Sequence, residues 1–271
     1  MTTSPIPIRT WLTVSAMSAA AIFLVACDTT PKDVTARMSP EKIYAAAKEE
    51  AAAGSYEKAI KLYERLEGRA AGTVLAQQAQ IERAYLLWKS GEKAQALSTL
   101  ERFIKLHPTS PALDYAFFLQ GLVNFNDNLG LLGSLASQDL SERDQQASRD
   151  AYQSFRQLIE QFPQSTYADD ARQRMNYIVN SLAAYEVHVA RYYFRRGAYV
   201  AAANRAKQTV LEFQQTPSAE EALYIMMQSY DRLGLTQLRD DAGRVLKTSY
   251  PNSTIIANGL GNKKAPWWQI W

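Results

Sequence analysis

The sequence has few of the residues from which disulfides, metal sites and catalytic centres are built. It contains one cysteine and two histidines in 271 residues. A single cysteine excludes a disulfide within the chain and a zinc site made of several cysteines. The formal net charge is only +3, so bulk charge gives no indication of a nucleic-acid partner. We therefore predict no metal, no cofactor and no nucleic acid.

Motifs that identify enzymes are missing as well. There is no glycine-rich phosphate loop, no nucleophile elbow and no zinc-protease motif. His107 stands at a helix end and His188 inside a helix, and neither has a carboxylate pair or a cysteine at metal-ligand spacing. Acidic doublets such as Glu49-Glu50 hold adjacent residues, which do not face each other on a helix. We predict that the chain is not an enzyme.

No window from residue 39 to residue 253 predicts a β-strand. Apolar residues recur every three or four positions and alanine is abundant, a pattern that favours helices. Helix starts are predicted at Ser39-Pro40, at Ser110-Pro111 and at the capping box Ser218-x-x-Glu221. Helix ends are predicted before Pro108, Pro163 and Pro251.

The helices follow a repeating pattern of glycines and small residues. Gly54, Gly91 and Gly197 each have a small residue seven positions before and an alanine five positions after. The small residues are Ala47, Ala84 and Ala190 before the glycines and Ala59, Ala96 and Ala202 after them. Small residues let two helices touch, and the glycine lets the chain turn between them. The pattern predicts tetratricopeptide-like helix pairs of ~34 residues, which must stack to bury their apolar faces.

We predict an all-α superhelix of five such repeats. They cover residues 40–72, 77–110, 111–165, 168–217 and 218–252. Gly121 takes the small-residue position in the third repeat, which an insertion at 129–146 interrupts. The first helix of the fourth repeat is unusually long, at about 172–196. The fifth repeat keeps Gly234 but departs from the pattern at Arg239, as terminal repeats do.

Residues 1–26 have the plan of a secretory signal peptide. Arg9 precedes the apolar stretch TWLTVSAMSAAAIFLVA, which is rather short for a transmembrane helix of ~20 apolar residues. The sequence Leu24-Val25-Ala26-Cys27 resembles the bacterial lipobox. The resemblance implies cleavage before Cys27 and attachment of N-acyl and S-diacylglycerol lipid to it, with residues 27–39 as a tether. A buried or accidental cysteine is the alternative.

Two other regions are candidates for binding a partner. The stretch ARYYFRRGAYVAAANRAK, residues 190–207, is rich in arginine and tyrosine, which are over-represented in interface hot spots. Its arginines could equally form a solvated face and its tyrosines a repeat core. The tail, residues 253–271, carries three of the five tryptophans, Trp267, Trp268 and Trp271. It is expected to fold back on the last repeat, or to contact a membrane surface or a second partner.

Four long stretches resemble the BamD family of outer-membrane assembly lipoproteins, also called ComL or YfiO. They are IYAAAKEEAAAGSYEKAIKLYERL, ERFIKLHPTSPALDYAFFLQGL, DLSERDQQASRDAYQSFRQLIEQFPQSTYADDA and YEVHVARYYFRRGAYVAAANRA, and they cover most of residues 40–215. The resemblance implies a non-catalytic scaffold of the β-barrel assembly machinery. It would be anchored by its lipid to the periplasmic face of the outer membrane.

The resemblance also implies partners at both ends of the repeat array. Repeats at 168–252 would bind the POTRA domains of a BamA-like barrel subunit, and Ala203-Asn204-Arg205 matches an arginine that the family uses there. Arg191, Arg195 and Arg196 are the neighbouring candidates. Repeats at 40–110 would receive unfolded outer-membrane proteins, and other Bam lipoproteins would bind as well. Candidate substrate-lining residues are Tyr44, Tyr56, Tyr63 and Tyr85, although the repeat core could take Tyr56 and Tyr63.

Two alternatives stay open. Asp28 follows the lipidated cysteine and, in enteric bacteria, resembles the mark that keeps a lipoprotein at the inner membrane. Secretin pilotins and cell-wall synthesis regulators also combine a lipobox with such repeats. These proteins should lack the SERDQ insertion and the RRGAYVAAANRA helix.

Overall fold

The computed structural model describes residues 35–125 and 145–259. The predictions for Cys27, Asp28, most of the insertion and the three terminal tryptophans lie outside the described residues. Within the two described ranges the chain forms eleven helices and no strand. In chain order they are α1 (Pro40–Ala52), α2 (Tyr56–Arg69), α3 (Val74–Lys89), α4 (Lys93–Leu106), α5 (Leu113–Asn124), α6 (Gln145–Gln161), α7 (Ala168–Arg195), α8 (Tyr199–Glu212), α9 (Ser218–Arg232), α10 (Thr236–Ser249) and the short α11 (Ile255–Asn258).

The first ten helices form five consecutive pairs that stack along the chain. Each odd-numbered helix packs on the even-numbered helix that follows it, and each pair packs on the next. The first helices of neighbouring repeats also touch, since α1 contacts α3, α3 contacts α5 and α7 contacts α9. These contacts confirm the predicted all-α repeat architecture. None of the described helices is both long enough and apolar enough to span a membrane.

Four of the pairs turn at the predicted glycines. Gly54, Gly91, Gly197 and Gly234 have φ angles of 77°, 90°, 75° and 72°, a region that favours glycine. In the first turn, the Ser55 amide donates to the Glu50 carbonyl at 2.9 Å, which closes the end of α1. The six alanines of the predicted repeat pattern are all fully buried between the paired helices.

Gly121 holds the third pair together in place of alanine. A Cβ atom on Gly121 would lie 2.4 Å from Cε1 of Phe155, whose ring fills the space between α5 and α6. Phe155 is fully buried and lies edge-on to Phe125 with ring centroids 6.4 Å apart. Glycine is therefore required at this position by close approach, which confirms the predicted role of Gly121 and gives its cause.

The helix ends predicted from prolines agree with the structure better than the helix starts predicted from serines. Helices α4, α6 and α10 each end two residues before Pro108, Pro163 or Pro251, as predicted. Ser39 caps α1 as predicted, because its Oγ accepts from the Lys42 amide at 3.4 Å. The first helix of the fourth repeat begins at Ala168, four residues before the predicted start, and the second repeat begins at Val74.

Two predicted caps are wrong. Ser110 does not cap α5, which begins at Leu113; its hydroxyl instead donates to Oε1 of Gln77 on α3 at 2.8 Å. Ser218 is the first residue of α9 rather than its cap, and Glu221 pairs with Arg191 instead of reaching back. The Ser110 hydroxyl and the Glu221 carboxylate thus take part in contacts between repeats.

Candidate binding surfaces

The candidate binding residues in the described part of the chain lie on the surfaces of helices. No group of three or more histidine, cysteine, aspartate and glutamate side chains within residues 35–125 and 145–259 is arranged to hold a metal ion. Two surfaces stand out. The arginine surface comprises Arg191, Arg195, Arg196 and Arg205 near the junction of α7 and α8. The tyrosine–glutamate face comprises Tyr44, Glu82, Tyr85 and Tyr115 on the first helices of the first three repeats.

Arg191 is committed to a contact between repeats. Its Nε and Nη2 atoms donate to Oε1 of Glu221 at 2.7 and 2.5 Å. Glu221 stands in the first turn of α9, so the ion pair joins the fourth repeat to the fifth. Both side chains are about three-quarters buried. Arg191 therefore stabilises the packing of the fourth repeat on the fifth. The sequence alone did not predict this role.

Arg205 pairs with a carboxylate that the sequence analysis missed. Its Nη1 donates to Oε2 of Glu186 at 3.0 Å, from α8 to α7. The Glu186 side chain is only 6% exposed, whereas that of Arg205 is 42% exposed. A buried carboxylate is costly unless a cation and hydrogen bonds compensate it. Arg205 therefore supports the fold with one edge of its guanidinium and presents the rest to solvent.

Arg195 and Arg196 are the exposed members of the arginine surface. Arg196 lies over the ring of Tyr192 at 5.6 Å, and the Tyr192 side chain is itself 52% exposed. Arg195 forms no ion pair with any residue in the described part of the chain. Both stand at the C-terminal end of α7, where positive charge is favoured by the helix dipole. Arg196 and Tyr192 therefore form an exposed cation–aromatic pair, and Arg195 is a second exposed cation at the same helix end.

Arg232, from the next repeat, forms a second cation–aromatic contact near the end of α7. It lies over the ring of Tyr199 at 5.9 Å, and its Nη1 donates to the Tyr199 hydroxyl at 3.4 Å. Tyr199 also packs against Phe194, with ring centroids 5.5 Å apart. Sequence reasoning missed Arg232 because it lies 33 residues from Tyr199.

The four candidate tyrosines of the first two repeats have different environments. Tyr63 is 1% exposed and belongs to the core, so it is not available to a ligand. Tyr44 lies edge-on to Tyr63, with ring centroids 5.8 Å apart, and remains partly exposed. Tyr44 and Tyr56 pack against the core between α1, α2 and α3, and Tyr85 packs against both that core and the next one, between α3, α4 and α5. Tyr63 therefore belongs to the core, and Tyr56 and Tyr85 belong to it in part. For Tyr56 and Tyr63 this is the alternative role, as core residues, that the sequence left open.

Glu82 is the charged group at the centre of the tyrosine–glutamate face. Burial raises the pKa of the Glu82 carboxyl, and the ammonium of Lys48 opposes that rise. Its negative charge acts in turn on the surrounding hydroxyls: burial and then Glu82 raise the pKa of Tyr44 and raise that of Tyr115 to about 12. Glu82 and Tyr115 were not among the predicted site residues, because nothing local in the sequence distinguishes them.

Glu67 shows how the same repeats neutralise a buried carboxylate elsewhere. Arg102 donates to its Oε2 at 2.8 Å, and Arg83 approaches its Oε1 at 2.9 Å, close enough for charge attraction but without hydrogen-bond geometry. Burial raises the pKa of Glu67, and both arginines lower it. This three-residue network joins α2, α3 and α4 and is structural.

The sequence is similar to one described protein family and to several named proteins. Residues 36–246 match the model of a family, YfiO, described as an outer membrane lipoprotein. The chain is 45% identical to the outer membrane protein assembly factor BamD of Neisseria meningitidis, over 88% of this chain and 89% of that protein. It is 39% identical to the BamD of Xylella fastidiosa, over 65% and 60% of the two chains. It is 32% identical to the BamD of Vibrio cholerae, over 79% and 88%.

Proposed function

Because the chain belongs to the YfiO family of outer membrane lipoproteins, we propose that it is a non-catalytic scaffold for the assembly of β-barrel proteins in the outer membrane. The observation that carries the proposal is the 45% identity over 88% of the chain with a protein named as an assembly factor. The structure is consistent with a scaffold, since its five stacked helix pairs present long helical surfaces suited to binding.

The C-terminal repeats are the proposed contact with the barrel subunit, a BamA-like protein with periplasmic POTRA domains. The arginine surface supports this assignment, because Arg196 forms an exposed cation–aromatic pair at the end of α7 and Arg195 adds a second exposed cation. Arginine and tyrosine dominate interface hot spots. The exposed part of Arg205 adds a third cation. We expect acidic groups on the POTRA side to face these arginines, and other Bam lipoproteins to bind elsewhere on the array.

The N-terminal repeats are the proposed receptor for unfolded barrel substrates. Tyrosine side chains suit an extended chain, because each offers apolar area together with a hydroxyl that can bond a peptide backbone. Tyr44, Tyr85 and Tyr115 stand on three first helices that touch in sequence, α1, α3 and α5. A peptide lying across these helices would meet all three.

Lipid on Cys27 is the proposed membrane anchor. The matching family is described as a lipoprotein, and the lipobox supplies the modified residue. Each buried methylene contributes ~0.8 kcal/mol, so several acyl chains would hold the protein durably at the periplasmic face of the outer membrane. Whether Asp28 redirects it to the inner membrane is tested by fractionating membranes from cells that make the wild type or Asp28→Ser.

The decisive experiment measures binding of the full chain, in mild detergent, to the POTRA domains of the barrel subunit from the same organism. Arg205→Glu is unsuitable, because it would set a second carboxylate against buried Glu186. Arg196→Glu is suitable, because its side chain is exposed. We expect it to weaken binding by about 30-fold, equivalent to the ~2 kcal/mol lower limit for a charged pair that becomes buried.

Lys61→Glu provides a matched charge reversal on an exposed position of the first repeat, and it should bind as the wild type does. Unchanged binding by Arg196→Glu would keep the barrel subunit as a partner and discard the arginine surface. Absence of binding by the wild type would contradict this part of the proposal and favour a secretin pilotin or a cell-wall synthesis regulator.

A further inference from the structure

Glu82 is a partly buried carboxylate on α3, at the centre of the tyrosine–glutamate face. Among the described residues it forms no ion pair and no side-chain hydrogen bond. Glu67, a carboxylate in the same repeats, is met by two arginines at 2.8 and 2.9 Å. The ammonium of Lys48 on α1 opposes the rise in the Glu82 pKa, and its side chain is exposed. Charge complementarity therefore favours a cationic partner for Glu82, as the two arginines provide for Glu67.

The surroundings of Glu82 are suited to a cationic side chain. Tyr85 stands three residues further along α3, on the same side of the helix. Tyr44 and Tyr115 approach from α1 and α5, and the Glu82 charge acts on both hydroxyls. Aromatic rings attract ammonium and guanidinium groups, and a carboxylate adds a direct charge-assisted bond. Tyrosine hydroxyls alone cannot neutralise the carboxylate.

We propose that the tyrosine–glutamate face binds a lysine or arginine side chain of an extended peptide, with Glu82 as its carboxylate partner. The inference rests on the proposed function of the N-terminal repeats and names the group that they recognise. A metal is a poorer occupant, since no three potential ligands among the described residues are gathered at any one point. A free peptide carboxylate at this position would be repelled by Glu82.

The spacing of the helices sets the length of the peptide. Packed helices lie about 8–10 Å apart, so the path from α1 across α3 to α5 is roughly 16–20 Å. An extended chain rises about 3.3 Å per residue, so five or six residues cover this distance. Alternate residues of such a chain point the same way, and the tyrosine rings would pack against the side chains that flank the basic residue.

The test is a double-mutant cycle in which Glu82 of the protein and the basic residue of the peptide are both changed. The probe is a fluorescent ten-residue peptide of alternating tyrosine and threonine with one central arginine. Its control is the same peptide with citrulline, which keeps the shape and removes the charge. Both are titrated against the full chain in mild detergent, as the wild type, Glu82→Gln, Glu82→Asp and Glu49→Gln. Glu49 is an exposed glutamate on α1 and serves as the matched control.

We expect the wild type to bind the arginine peptide about tenfold more tightly than the citrulline peptide, as a bond between charged groups implies. Glu82→Gln should abolish this preference and leave the citrulline affinity unchanged, while Glu82→Asp should retain part of it. Glu49→Gln should behave as the wild type. The comparison of the two peptides on the wild type tests the proposal even if a variant folds poorly.

The possible negative results distinguish the cation site at Glu82 from the receptor role of the N-terminal repeats. Equal binding of both peptides by the wild type, or equal weakening of both by Glu82→Gln, overturns the cation site and keeps the N-terminal repeats as a peptide receptor. If neither peptide binds, both the cation site and that receptor role are overturned. The POTRA titration measures the C-terminal repeats independently of either result.

Discussion

The ion pair between Arg205 and Glu186 should stabilise the fold in addition to any role in binding. Replacing Arg205 by glutamine leaves the Glu186 carboxylate, 6% exposed, without the cation that sits 3.0 Å from it. Removing one partner of a fully buried pair costs about 3–5 kcal/mol. Because 42% of the arginine side chain is exposed, solvent screening reduces our estimate to about 1–3 kcal/mol.

Thermal unfolding followed by circular dichroism measures this effect. For a domain of this size, a loss of 1 kcal/mol lowers Tm by about 2–4 °C, so we expect Arg205→Gln to lower it by roughly 2–12 °C. Glu186→Gln in the same chain should restore most of the loss, since it removes the unpaired charge. A double-mutant cycle then isolates the coupling between the two residues.

Arg156→Gln is the matched control, because Arg156 forms an exposed pair with Glu160 one turn away on α6. Solvent screens an exposed pair of this kind, so its loss should change Tm little. If Arg205→Gln lowers Tm no more than Arg156→Gln does, or if Glu186→Gln fails to rescue it, the structural role assigned to Arg205 is refuted. A loss of POTRA binding by Arg205 variants could then be read as a direct interface effect.

Three further predictions test the repeat packing and the unpaired carboxylate. Gly121→Ala should lower stability by about 1–3 kcal/mol through overpacking, whereas Gly68→Ala, at an open helical position, should raise it by ~0.5–1 kcal/mol; thermal unfolding compares them. Burial raises the pKa of Glu82 above its ordinary value, so its ionised form costs stability as pH rises through the folded pKa. Glu82→Gln should therefore raise Tm at pH 7, and the difference in Tm between the variant and the wild type should narrow as pH falls through the raised folded pKa toward the ordinary carboxyl pKa; a difference that does not change with pH would contradict this. Arg191→Gln should speed hydrogen exchange in α9 and α10, because it breaks the pair with Glu221, and leave exchange in α1 to α4 unchanged.

The repeat skeleton could be predicted from the sequence because its determinants are local. Gly54 and its equivalents mark a turn that only a few residues define, and Ala47 and Ala59 mark the contact on either side of it. Gly121 fitted the same pattern, although the residue that makes it necessary, Phe155, lies 34 positions away. Prolines fixed the helix ends because they act on the backbone of their own segment.

The candidate binding surfaces could be predicted only in part, because they depend on contacts between repeats. Arg205 and Arg191 looked like free surface arginines until the fold brought Glu186 and Glu221 to them. Tyr44 and Tyr63 both fit the repeat pattern, but only Tyr63 is enclosed by its neighbours. Ser110 had the signature of a cap, yet its hydroxyl bonds Gln77 of the previous repeat. Periodicity predicts which side of a helix is buried, but it does not identify the residue from another repeat that faces it.

The two surfaces carry opposite charge and occupy different parts of the stack. The tyrosine–glutamate face lies on repeats one to three, and the arginine surface lies at the end of the first helix of repeat four. In a repeat array each unit contacts only its neighbours, so stability and binding are local properties. Changes at distant, independent sites add. We therefore expect Glu82→Gln to affect only the arginine peptide and Arg196→Glu to affect only POTRA binding, with the double variant showing both losses and no more. A double variant whose peptide affinity differs from that of Glu82→Gln by more than about twofold would show that the repeats between the two surfaces transmit binding from one to the other.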